Sequence, residues 1–159
     1  MSEYQVDPMT QREKIDWMLE TAGWAAIPVP PIEDPAAPRA GYTYTIGLES
    51  RFAHPEVVVF GLAPAPARNL LELVIGQIKA GVELPVSQPF VGLLDGGLRA
   101  MLAPVPLDEH RPLFGELADV YGDQDWRVLQ FVWPDRSGAF PWEEGWPHHL
   151  RLTQPIIGR

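Results

Sequence analysis

Two short stretches of the sequence carry residues whose types and spacing could do chemistry. The first, His54-Pro55-Glu56, precedes an apolar run. An imidazole near a carboxylate can act as an acid–base pair or bind a metal ion, provided that both side chains face the same side. The alternative interpretation is structural, because a single histidine beside a proline is more often a turn residue.

The second stretch is FVWPDRSGAFPWEEGW, residues 131–146, which holds three of the six tryptophans. Its aromatic faces could stack on a planar ligand and form a binding groove. Alternatively, they bury apolar area while the chain crosses the core, and each proline fixes φ in a rigid strap. We favour the strap, whose polar members would still border a pocket.

Gln130 lies just before this stretch, in a run that predicts a strand over residues 126–133. A buried amide without hydrogen-bond partners costs about 1–3 kcal/mol, so it must be satisfied by the protein or by a ligand. Satisfaction within the protein is the default interpretation, and contact with a ligand is the alternative.

These residues and the small polar side chains of one neighbouring strand make up the candidate ligand-binding set. Polar residues at strand ends are where ligands commonly dock. The set is Thr43, Thr45, His54, Glu56, Gln130, Trp133, Asp135 and Trp142. No catalytic residue is assigned. No metal site is predicted either, because the four histidines show no metal-ligand spacing.

The composition limits the partners and the location of the protein. The net charge is −9, with 12 basic residues against 21 acidic ones, which disfavours binding to nucleic acid or to anionic membranes. No apolar run approaches the roughly 20 residues that span a bilayer. Without a cysteine or a recognisable signal peptide, the sequence predicts a cytoplasmic protein.

The hydrophobic pattern predicts the elements that must position the candidate residues. Helices are expected after a capping box at Thr10–Glu13, after Pro64 and Pro66, and over residues 113–121. Strands are expected at residues 24–29, 42–48, 56–62 and 126–133. Asp95-Gly96 predicts a two-residue hairpin between arms at residues 91–94 and 98–103.

Strands in adjacent runs predict a single α+β domain over residues 1–159, with a mainly antiparallel sheet and about three helices packed on one of its faces. The core is expected over about residues 9–146, with a proline-rich loop at 30–40 and a C-terminal tail at 147–159. The strand at 42–48 alternates large residues with Thr43 and Thr45, which predicts a core face and an open face.

Some of these residues form a pattern that resembles a known family. The segment GYTYTIGLESRFAHPEVVVFGL carries Tyr44, Thr45, Gly47 and Leu48 before His54-Pro55-Glu56. The later segment carries Gln130, Trp133-Pro134-Asp135, Gly138 and Phe140-Pro141-Trp142. Over roughly residues 41–146 the chain resembles the bacterial family called domain of unknown function 4262. The resemblance implies no activity and no catalytic residues.

Functions of different classes remain open, and the sequence does not distinguish an enzyme from a binding protein. The first is a small ligand-binding or accessory protein with a pocket at the sheet edge, floored by Thr43 and Thr45. The alternative is a flavin-dependent oxidoreductase on a split-barrel-like scaffold with FMN as cofactor, against which the shortage of basic residues counts. A third is a protein that binds a protein partner, or a second copy of itself as a homodimer.

Overall fold

The computed structural model describes residues 9–159, and its centre is one five-stranded sheet. The strands are β1 (Ala25–Val29), β2 (Tyr42–Ile46), β3 (Glu56–Phe60), β4 (Met101–Pro104) and β5 (Val128–Val132), in the spatial order β1-β2-β3-β5-β4. The helices are α1 (Gln11–Ala22), α2 (Leu48–Phe52), α3 (Pro64–Lys79), α4 (Leu107–His110) and α5 (Gly115–Tyr121). The α+β class is therefore confirmed. No helix of these residues is long and apolar enough to cross a membrane.

The first helix begins and ends where its sequence signals predicted. The Thr10 hydroxyl accepts from the Glu13 N–H at 3.1 Å, and the Thr10 N–H donates to the Glu13 carboxylate at 3.2 Å. This reciprocal capping box satisfies N–H groups that have no partner within the helix. At the other end Gly23 has a φ of 83° and donates its N–H to Leu19 O.

The sheet is mixed, so the prediction of a mainly antiparallel sheet is wrong. β2 pairs with β3 as an antiparallel neighbour, as expected from the short link between them. β3, however, pairs in parallel with β5, with Glu56 opposite Val128 and Val58 opposite Gln130. The long segment between β3 and β5, with α3, β4 and α5, crosses over and returns β5 in the same direction as β3.

Asp95-Gly96 does not close a two-residue hairpin. Residues Asp95–Gly97 form a 3₁₀ turn. Phe90, just before the first predicted arm, bridges Ala100, and the Ser87 N–H donates to Leu102 O at 2.8 Å. β4 pairs with β5 as an antiparallel neighbour over four residue pairs. Val91, on the other predicted arm, is 64% exposed, whereas Leu93 and Leu94 pack against the core without forming a strand.

Helices cover both faces of the sheet, in contrast to the predicted single face. α1 and α5 pack on the face that carries Tyr42, Tyr44 and Ile46, whereas α3 packs on the opposite face. The strand β2 is consequently buried along its whole length. The predicted open face with Thr43 and Thr45 is therefore wrong, since α3 covers it. The short helices α2 and α4 were not predicted.

Candidate functional site

Glu56 is fully buried at the start of β3, and four hydrogen-bond donors surround its carboxylate. Oε1 accepts from the Thr45 hydroxyl at 2.8 Å and from the Leu48 N–H at 3.1 Å. Oε2 accepts from the Glu49 N–H at 2.9 Å and from the Tyr121 hydroxyl. A carboxylate offers about four acceptor positions, so none is left for a ligand. Through these hydrogen bonds Glu56, on β3, links β2, α2 and α5.

Replacing Thr45 with valine is expected to lower the free energy of unfolding by about 1–2 kcal/mol, because the Val57 N–H then loses its side-chain acceptor and Glu56 Oε1 keeps only the Leu48 N–H. The Thr45 hydroxyl donates to Glu56 and also accepts from the Val57 N–H at 2.9 Å. Thr43→Val, on the same strand and face, is the matched control and is expected to be nearly neutral. Urea denaturation measures both variants, and equal losses would contradict this account of the network.

The stability that Glu56 confers is expected to depend on pH. Burial raises the pKa of its carboxyl above the ordinary 4.5, although the Tyr121 hydroxyl and the other donors lower it in part. The folded chain then holds this proton more tightly than the unfolded chain. The contribution is complete below pH 4.5 and is lost as the pH rises through the folded pKa.

The stability advantage of the wild type over Glu56→Gln, whose amide does not titrate, should therefore shrink as the pH is raised from about 4 to about 8. Denaturation with urea at several pH values measures this difference. An advantage that grows with pH would mean that the folded state holds the ionised form instead.

Gln130 is fully buried on β5 and holds the C-terminal segment of the chain. Its Nε2 donates to Pro155 O at 2.8 Å, while its Oε1 accepts from the Ile157 N–H at 2.8 Å and the Gly158 N–H at 2.9 Å. The amide is thus satisfied by backbone groups of the protein, as in the default interpretation. We call residues 152–158 the C-terminal strap.

A second amide fixes this strap beside the end of β5. The Gln154 side chain accepts from the Trp133 N–H and donates to Trp133 O, both at 2.9 Å. Trp133 also donates its indole N–H to Phe60 O at 2.7 Å and packs on the core beneath α3. Trp133 is therefore anchored in the fold at three points.

The aromatic stretch combines a buried part and an exposed part. Phe140 is buried, and its ring lies 4.9 Å from that of Trp142, which is 52% exposed. Trp146 packs against Trp133 with ring centroids 5.5 Å apart. These contacts cover the core after β5, so residues 131–146 act mainly as the aromatic strap that the sequence predicted, which is distinct from the C-terminal strap. Within this segment only Trp142 exposes much of its side chain to solvent.

Asp135 organises the turn that follows β5. Its Oδ1 accepts from the Ser137 hydroxyl at 2.8 Å and from the N–H groups of Ser137 and Ala139. These bonds, led by the Ser137 hydroxyl, lower the pKa of the Asp135 carboxyl, because they favour its charged form. The carboxylate therefore serves the turn.

His54 and Glu56 do not form the acid–base pair that the sequence suggested. The Nδ1 atom of the half-buried His54 lies 2.7 Å from Pro55 O, whereas the Glu56 carboxylate bonds to other donors. Across residues 9–159 no group of three His, Cys, Asp or Glu side chains could hold a metal ion. The structure thus distributes the candidate residues over separate local networks.

A large concave site lies elsewhere among residues 9–159, and we call it the apolar cleft. It has a volume of about 670 Å³ and lies where β1 and β3 end and β2 begins. Its most prominent walls are formed by Pro28, Pro30, Pro31, Pro64, Leu62 and Leu152. No lining residue carries a charged side chain. Of the candidate set, only Thr43 lines it.

Sequence reasoning identified the proline-rich loop of this cleft but missed the cleft itself. Its lining comes from four distant segments, at residues 28–31, 40–43, 61–64 and 152–153. The available signals were the cluster of prolines and the hydrophobic Leu152, which is 75% exposed. Neither signal shows that the C-terminal strap returns to the loop.

Comparisons with known proteins agree with the motif pattern. The model of the family described as Domain of unknown function (DUF4262) matches residues 18–147, which is most of the chain. No curated protein and no solved structure matches the chain significantly. The matched residues contain the whole sheet and most of the apolar cleft, whereas the C-terminal strap lies outside them.

Proposed function

The chain belongs to the DUF4262 family, and on that premise we propose that it binds a small, largely apolar molecule in the apolar cleft. The observation that carries this proposal is the cleft itself. Ligand sites are typically concave, mostly apolar and about 300–1,000 Å³ in volume. At about 670 Å³, with an apolar lining, the cleft falls within this range.

The lining also favours binding because much of it is rigid before a ligand arrives. Proline fixes φ, and Pro28, Pro30, Pro31 and Pro64 all contribute to the walls. A preformed wall loses little conformational freedom on binding, so less of the interaction energy is spent on ordering the site. The exposed Leu152 at the rim would gain apolar contact on binding.

The chemistry of the lining favours binding over catalysis. Its one ionisable side chain is Tyr42, whose hydroxyl donates to Leu113 O at 2.8 Å on the α5 side of the sheet. Burial raises the pKa of Tyr42 above its ordinary value, which makes it a poor general base. The cleft therefore offers no acid–base pair to a bound molecule.

The flavin alternative gains no support from the cleft. FMN carries a phosphate, which proteins hold with arginine, lysine or clusters of backbone N–H groups. The lining has no arginine, lysine or histidine. Binding of a protein partner or of a second copy likewise has no feature of the cleft in its favour.

Filling the cleft should weaken the binding of an apolar probe. Ala63 lines the cleft immediately before α3, and its extended backbone accepts any side chain. The neutral fluorescent probe N-phenyl-1-naphthylamine is expected to bind the wild type and to bind Ala63→Phe at least about tenfold more weakly, since phenylalanine occupies its space. Fluorescence titration measures both affinities.

The matched control is Ala65→Phe, two residues further along. Ala65 is also exposed but does not line the cleft, so this variant should bind the probe within about twofold of the wild type. Equal weakening by both substitutions would refute the cleft as the binding site. A wild type that leaves the probe unbound would refute the proposed function.

A further inference from the structure

The C-terminal strap is joined to the sheet through side-chain amides, and it belongs to no helix or strand. Gln130 on β5 and Gln154 in the strap make five hydrogen bonds between the strap and β5 with the residue that follows it. Ile157 packs against the core, whereas Leu152 and Ile156 are 75% and 39% exposed. A segment with few buried apolar contacts opens at a lower free energy than the strands of a buried sheet.

The same strap supplies part of the apolar cleft. Leu152 and Thr153 line the cleft, and most of the Leu152 side chain is open to solvent in the free protein. A molecule in the cleft gains apolar contact with these residues only while the strap is docked. The docked state therefore binds the molecule more tightly than a state in which the strap has opened, and a ligand shifts the equilibrium towards the state that it binds better.

We propose that the C-terminal strap is a lid on the apolar cleft, which opens locally in the free protein and is held closed by a bound ligand. This inference rests on the proposed function and specifies the regulation of that site. A ligand that binds only the closed state divides the ratio of open to closed molecules by one plus the ratio of its concentration to its Kd. At ten times the Kd the divisor is about 11.

Hydrogen exchange at two backbone amides of the strap, followed by NMR in the full chain, tests the inference. The Ile157 and Gly158 N–H groups donate to Gln130 Oε1, and neither residue lines the cleft. Their exchange therefore reports docking of the strap. In the free protein their protection factors should be at least about tenfold lower than those of the most protected β3 amides. N-phenyl-1-naphthylamine at ten times its Kd should slow their exchange about five- to tenfold.

The turn after β5 provides the control for a general effect of the probe. The Ala139 N–H donates to Asp135 Oδ1, so it is bonded to a side-chain oxygen as the two strap amides are. Neither Ala139 nor Asp135 lines the cleft. Exchange of the Ala139 amide should be the same with and without the probe.

Two variants of the strap test whether the ligand holds it through the cleft. Leu152→Ala removes a side chain that the docked strap brings to the cleft, so the probe should slow exchange of the strap amides at least about twofold less than in the wild type at equal occupancy. Ile156→Ala is the matched control, since Ile156 lies on the same strap but does not line the cleft. This variant should keep the protection seen in the wild type.

The failure of this inference can be distinguished from the failure of the proposed function. Strap amides that exchange as slowly as the most protected β3 amides in the free protein would overturn the inference, because the strap would then open only when the whole domain unfolds. Exchange that the bound probe leaves unchanged, or slows equally at Ala139, would overturn it while leaving apolar binding intact. A wild type that does not bind the probe would refute the proposed function and the inference with it.

Discussion

Gly61→Ala is expected to lower the free energy of unfolding by about 2–5 kcal/mol, because it combines backbone strain with a direct clash. Gly61 follows β3 with a φ of 84°, a conformation that costs a residue with a Cβ about 1–2 kcal/mol. An added Cβ would lie 2.3 Å from Thr153 O, far inside van der Waals contact. The Gly61 N–H donates to Gly41 O at 2.9 Å, which opposes a shift of this backbone.

Gly81→Ala separates the two contributions. Gly81 has nearly the same φ, at 80°, but a Cβ there would meet no atom within 4 Å. Both variants therefore share the strain, and only Gly61→Ala displaces the C-terminal strap. Urea denaturation should show a loss about 1–3 kcal/mol larger for Gly61→Ala, the usual cost of overpacking. Equal losses would show that the strap yields to the new methyl group without cost.

The variants Gly61→Ala and Gly81→Ala also test how far the cleft depends on the C-terminal strap. Leu152 and Thr153 line the cleft, so displacement of the strap should weaken binding of N-phenyl-1-naphthylamine by Gly61→Ala. Gly81→Ala should bind the probe as the wild type does. Undiminished binding by a folded Gly61→Ala would mean that the lining at residues 28–31, 40–43 and 61–64 suffices.

Local signals in the sequence predicted local structure well. The capping box at Thr10 and the glycine at position 23 fix the ends of α1 through hydrogen bonds within a few residues. The neighbouring strands β2 and β3 pair because the link between them is short. In each case the residues that interact are close in sequence, so their types and spacing carry the information.

Long-range pairing was not readable from the same patterns. A continuous apolar run such as β3 indicates burial but not the direction of its neighbour, and β5 joins it in parallel from far along the chain. The Asp95-Gly96 signal was outweighed, because the preceding segment bonds to this side of the sheet at Ser87 and Phe90, outside the predicted arm. Tertiary packing thus overrode a favourable turn sequence.

The candidate site was only partly predictable from the sequence, again because its residues interact across long distances along the chain. Buried polar residues such as Glu56 and Gln130 were recognised as needing partners, but the partners lie in distant segments. Thr43 and Thr45 look equivalent in the alternating strand. They differ in the structure because Glu56 reaches only the hydroxyl of Thr45, whereas Thr43 lies at the cleft.

Gln130→Leu is expected to lower the free energy of unfolding by about 3 kcal/mol, with an effect concentrated on the C-terminal strap. Leucine has a similar size and fits the buried position, but it removes three hydrogen bonds to the backbone of Pro155, Ile157 and Gly158. Each such bond contributes about 1 kcal/mol. Gln124, which is exposed beyond α5, provides the control Gln124→Leu, whose stability should match that of the wild type.

The rate of cleavage by trypsin measures how strongly Gln130→Leu destabilises the C-terminal strap itself. Cleavage after the exposed Arg151 releases the strap, but the protease must first unfold the adjoining segment. Since Gln130 makes the bonds that oppose this local unfolding, Gln130→Leu should be cut at Arg151 faster than the wild type or Gln124→Leu. Probe affinity should fall in parallel, because the strap carries Leu152 and Thr153 into the cleft. An unchanged cleavage rate would mean that the other bonds of this segment, those of Gln154 to Trp133 and of Arg159 to Pro104 and Glu109, hold the strap without Gln130.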